Sequence, residues 1–185
     1  MPETLFHISD IPNIARFEPR PAPSPKSGQT GQMVWAVSQR LLHNYLLPRD
    51  CPRVTFYAGP TSSSEDIERL MSYTSARYIV AIESHWLPEV RRHHLYMYEF
   101  PGESFSSVDE GADYYTSRET IVPRSVTPLN DLLGELLKRD VELRVMPSLW
   151  KLRDAIIAST LQFSIIRMRN ALPPEDGFDA HPPPP

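Results

Sequence analysis

Proline limits what this chain can build. The sequence holds 20 prolines against 7 glycines, and many of the prolines fall between short apolar runs. Each fixes φ and removes a backbone N–H, so it interrupts helices and central strands and is tolerated at their ends. The elements must therefore be short and joined by stiff connections. Residues 4–9, 33–37, 53–58, 78–83, 95–100 and 141–146 read as strands, being brief, rich in β-branched or aromatic residues and bounded by turn signals. Residues 78–83 and 95–100 are expected to be neighbours in one sheet, since sequential strands usually are.

Helical spacing predicts the rest. Ser38 stands as an N-cap ahead of Leu41, Leu42 and Tyr45, and Pro48 ends that helix. Residues 61–73 open with hydroxyls and place Glu65 and Asp66 where they suit a helix dipole. Residues 86–93 read as a short helical connection. Two longer helices are expected late: 128–139, capped by Thr127 with a stripe of Leu129, Leu132, Leu133, Leu136 and Leu137, and most of 149–168.

These elements make a single α+β domain over residues 1–171, with mostly antiparallel, mixed sheets, short helices and the two longer helices in the C-terminal half. A length of 185 residues suits one real core. Residues 11–31 form a long proline-rich loop expected to stay out of the sheets, and 172–185 a proline-rich tail expected to be disordered. A net charge of -4 argues against a general nucleic-acid surface. No apolar run approaches the ~20 residues that span a bilayer, so no membrane partner is expected. One cysteine, Cys51, allows no intrachain disulfide, and the cytoplasm is the expected location.

The chemistry must come from side chains at strand ends. Glycine-rich phosphate loops, HExxH, CxxC pairs and GxSxG are all missing from the sequence. The adjacent His93 and His94 make a poor metal site, and no metal is expected. Cys51, between Arg49 and Arg53, would be a nucleophile only if those cations lowered its thiol pKa. The remaining groups are His7 and Ser9 at the end of the first strand, Arg16 and Arg20 just after it, Ser38 and Tyr45 after the next, then Tyr115 and Glu119.

The order of a first-strand histidine, a later hydroxyl or aromatic and a late glutamate resembles the ADP-ribosyltransferase-like superfamily, including its RNA 2'-phosphotransferase group. From LFHISDIPNIARFEPRP through NYLLPRDCPRVTFYAG to SLWKLRDAIIASTLQFSIIRMRN, the chain also resembles a family of small proteins with no assigned function. The superfamily resemblance implies an enzyme acting on NAD or a related ribose phosphate. Glu119 would then orient a ribose hydroxyl and stabilise an oxocarbenium-like state, and His7 would hydrogen-bond the ribose. Tyr45 or Tyr115 would stack on the nicotinamide, Arg16 or Arg20 would meet the pyrophosphate, and Ser9 and Ser38 would line the same pocket. The alternative is a small-ligand-binding or accessory protein without turnover. The sequence leaves the oligomeric state open.

Overall fold

The computed structural model describes residues 2–21, 30–109 and 111–174. Eleven strands among them are β1 Thr4–Ser9, β2 Arg20–Pro21, β3 Gln32–Val37, β4 Arg53–Tyr57, β5 Tyr78–Glu83, β6 Leu95–Pro101, β7 Ser106–Asp109, β8 Tyr114–Ser117, β9 Ser125–Leu129, β10 Val141–Met146 and β11 Gln162–Ile166. The α-helices are α1 Ser64–Met71, α2 Leu87–Arg92, α3 Leu132–Leu137 and α4 Trp150–Ile157.

The strands form two sheets. The larger is antiparallel in the order β7-β8-β3-β1-β6-β9, with β2 attached to β3; the smaller runs β10-β5-β4-β11, and only its β10–β5 pair is parallel. This is the α+β class with mixed sheets and short helices. β5 and β6 lie in different sheets and are not partners, because the turn Ser84–Trp86 and α2 carry the chain across from one to the other.

Burial follows strand alternation. In β5, Tyr78, Val80 and Ile82 face a core between the sheets, while Ile79 and Ala81 face one under α1 and α4. The inter-sheet core also takes in Leu42, Leu46 and Leu47, with Leu132 and Leu136 from α3. On the far side of the larger sheet, Leu5, Val34, Ala36, Tyr98 and Phe100 form a third cluster against which Phe17 packs.

The late helices are shorter than the spacing predicts. Ser125–Leu129 is a strand on β6, so Thr127 caps nothing, and α3 starts from Asp131, whose Oδ1 accepts from the Gly134 amide at 2.9 Å. Pro128 is tolerated because β9 is an edge strand. The segment 149–168 divides into α4, a turn and β11, which pairs with β4 from Gln162↔Tyr57 to Ile166↔Arg53. After Ser38 there is only the 3-10 turn Leu42–Tyr45. Within the proline-rich loop, Arg20 and Pro21 pair with Met33 and Gln32, and Phe17 bridges Ile121. The expectations for residues 22–29 and for the tail beyond Pro174 lie outside the described residues.

Candidate functional site

The larger sheet has an open seam. β1 pairs with β6 along its whole length, from Thr4↔Pro101 to Ser9↔Tyr96, yet its register with β3 contains only Phe6↔Val37. Past that point β2 takes over the edge of β3. The His7 side chain fills the opening, with Nδ1 at 2.9 Å from the Trp35 carbonyl. A carbonyl can only accept, so Nδ1 carries the proton and Nε2 keeps its lone pair. Burial lowers the His7 pKa, the bond to Trp35 opposes it in part, and the charges of Arg49 and Arg20 lower it further. Phe17 lies against the ring at 4.9 Å between centroids.

Two adjoining hollows meet at this seam and share His7, Ser9 and Arg49. The first, of about 480 Å³, opens toward the smaller sheet and is bordered by Tyr45, Arg53, Tyr114 and Arg167. The second, of about 460 Å³, is bordered by Ile14, Arg16, Phe17, Arg20 and Trp35.

Arg53 is the unusual member. Alternation along β4 sends Val54 and Phe56 into the core under α1 and α4, so Arg53 takes the opposite face. Its side chain is 3% exposed, Nη1 donates to the Pro48 carbonyl at 3.3 Å, and Nε has no partner. Among the described residues no carboxylate pairs with it. Burial lowers its pKa, with Cys51 and Tyr45 acting against that, but a guanidinium remains charged in proteins. Nearby, Tyr45 Oη donates to Tyr114 Oη at 2.5 Å. Burial first, then Tyr114, raises the Tyr45 pKa well above the usual phenol value, so this hydroxyl stays protonated. Arg49 is exposed at the rim, and Arg167 reaches the Arg49 carbonyl at 3.3 Å.

The structure brings together His7, Ser9, Arg16, Arg20 and Tyr45. Ser9 Oγ accepts from the Ile11 amide at 3.1 Å, and Arg16 is paired with Glu18 at 3.2 Å. Ser38, Tyr115 and Glu119 border neither hollow. Ser38 Oγ donates to Asp113, which also pairs with Arg40 at 3.4 Å, and Tyr115 borders a separate groove beside those two residues. Glu119 is exposed on the loop after β8, its amide donating to Ser117 Oγ at 3.1 Å.

Cys51 is no nucleophile. It is fully buried, and burial pushes its thiol up to about 12 although Arg53 pulls the other way. His93, at the end of α2, is held between Asp10 at 2.6 Å and Glu89 at 3.2 Å. The arginines at 49, 53 and 167 were not among the expected ligand contacts. In sequence Arg53 stands out only as a charge heading the uncharged strand residues Val54-Thr55-Phe56-Tyr57, a signal that marks the residue without showing what it faces.

Among the described residues no helix is long and apolar enough to cross a membrane. Neither curated proteins nor solved structures give a match to this chain. One family model covers residues 6–171, nearly everything that the two sheets and their helices comprise. The chain thus belongs to the Family of unknown function (DUF6886).

Proposed function

We propose that this chain binds a small anionic molecule of the ribose-phosphate class, NAD or a relative of it, in the seam between β1 and β3. The observation that carries this reading is Arg53, a buried cation facing the cleft with no counter-ion among the described residues. A buried charge without a partner is costly, and an entering phosphate would supply the missing negative charge and accept from the planar fork. Arg49 and Arg167 border the same hollow, so phosphate oxygens would meet three guanidinium groups. His7 Nε2, with its lone pair uncommitted to Trp35, would accept from a ribose hydroxyl. The aromatic wall of Phe17 and Trp35 suits the planar part of the ligand.

The position of Glu119 favours binding over group transfer. Glycosidic cleavage needs a carboxylate at the ribose, and Glu119 lies outside both hollows. Asp10 borders the first hollow and Glu18 the second, but His93 already holds the one at 2.6 Å and Arg16 the other at 3.2 Å.

Calorimetric titration with NAD, ADP-ribose and ribose 5-phosphate tests the reading. Arg53→Met keeps the bulk of the side chain and removes the charge. It is expected to weaken binding at least tenfold, or about 1.4 kcal/mol, while Glu119→Gln leaves affinity as it was. Equal affinity in Arg53→Met and wild type would rule the cleft out, as would no heat with any of the three ligands.

A further inference from the structure

The chain that follows β11 stays on the protein and is fastened at both ends. Arg167 takes a left-handed backbone, φ 58°, and the 3-10 turn Met168–Asn170 follows. At one end, Arg167 Nε donates to the Arg49 carbonyl at 3.3 Å and Asn170 Nδ2 to the Asp50 carbonyl at 2.7 Å. At the other, the Leu172 amide donates to both carboxylate oxygens of Glu83, at 3.1 and 3.3 Å, and Trp150 Nε1 donates to the Leu172 carbonyl at 2.7 Å.

Glu83 makes the second fastening firm. Its side chain is fully buried at the end of β5, with His85 Nδ1 3.9 Å away. Among the described residues the Leu172 amide is its one hydrogen-bond donor. A buried carboxylate answered by a single N–H holds it tightly, because releasing it would leave a charge without compensation. The first fastening grips the turn that carries Arg49, the arginine common to both hollows. That turn is held from beneath as well. The Cys51 amide and Arg53 Nη1 both donate to the Pro48 carbonyl, at 3.0 and 3.3 Å. Exposed turn carbonyls are ordinarily left to water, whereas here two side chains are committed to those of Arg49 and Asp50.

We infer that residues 167–172 form a strap, anchored on Glu83, that fixes Arg49 and Arg167 at the rim of the cleft, so that Glu83, Trp150 and Asn170 are positioning residues of the anion site. The inference rests on the proposed cleft being the binding site. Its physical content is preorganisation. An arginine on a fixed turn gives up less freedom when an anion arrives than one on a loose loop.

The test uses Asn170→Ala, which releases the Asp50 carbonyl, and Trp150→Phe, which keeps a ring and removes the N–H. Two readouts are taken on the full chain: exchange of the Cys51 amide, which reports opening of the 48–51 turn, and titration with pyrophosphate. Both variants are expected to speed Cys51 exchange about tenfold and raise the pyrophosphate Kd several-fold, mainly through faster release, with the exchange of β5 amides unchanged. Variants that speed exchange at Leu172 alone, with wild-type Kd, would overturn the strap while leaving the cleft intact. A wild-type chain that ignores pyrophosphate would overturn the cleft, and the strap's role in it, whatever the exchange shows.

Discussion

Arg53 and His43 both sit where an ionised side chain is expensive, and they respond in opposite ways. Arg53 keeps its charge, so the ligand-free protein carries a desolvated cation whose one hydrogen-bond acceptor among the described residues is the Pro48 carbonyl. Arg53→Met is therefore expected to raise the stability of the ligand-free chain by about 1 kcal/mol or more in urea unfolding, because an uncompensated buried charge costs more than its packing contributes. An equal or lower midpoint would mean that the charge is already compensated. His43 instead gives its charge up. It is 1% exposed against Tyr78, and burial, with Arg139 and Arg40 adding to it, lowers its pKa from 6.5 to about 4. The unfolded chain then binds the extra proton first. Stability is full above pH 6.5, falls as pH drops toward 4 and levels off below that, a loss of about 3 kcal/mol from this residue. His7, also lowered, contributes with the same sign. In a pH series of unfolding free energies, His43→Phe is expected to flatten this slope; a slope unchanged in the variant would assign the acid sensitivity elsewhere.

At the scale of elements, α3 shows where periodicity misleads. Leu129, Leu132, Leu133 and Leu136 fit a helical stripe, but Leu129 belongs to β9 and Asn130-Asp131 separates it from the helix. The helix start is set by Asp131 and by Gly134, where an added Cβ would collide with the Asp131 carboxylate. Asp131→Ala is expected to cost about 1 kcal/mol as a lost cap. Thr127→Ala, on the exposed edge strand, is expected to cost a few tenths at most. Reversed magnitudes in thermal unfolding would return the helix start to Thr127. The same ambiguity joined α4 to β11: the break falls at the hydroxyl pair Ser159-Thr160, but the apolar residues on both sides fit one buried helix as well as two elements. Where the run was short and flanked by turn residues, as in β1, β5 and β10, the strand and its limits could be read directly. The arginines escaped notice for a different reason. What makes Arg53 a site residue is its side chain facing a second sheet, and no local pattern records which strands will stand opposite.

For the whole molecule the question is whether two sheets make one cooperative unit. The cleft borders residues of both: His7 and Tyr114 from the larger sheet, Arg53 and Ile165 from the smaller. The sequence showed an α+β domain but not its division in two, because the β5-to-β6 crossing looks locally like an ordinary connection between neighbours. Between the sheets lies the cluster containing Leu46 and Leu42, each 0% exposed, against Val80 and Ile82 on one side and Val37 and Leu95 on the other. Leu46→Ala opens a cavity there and is expected to cost about 3 kcal/mol. If that core makes the sheets one unit, the loss must appear equally in both. Amides of β6 and of β5 should then exchange faster by the same factor, and unfolding should remain a single transition. Protection lost in one sheet alone would make the sheets separate units, and a cleft walled by both could not then hold the fixed geometry that anion binding needs. Coupled loss would mean that a ligand gripping both walls stabilises the entire chain, by about 2.7 kcal/mol at a hundredfold excess over Kd, with β5 and β6 protected alike.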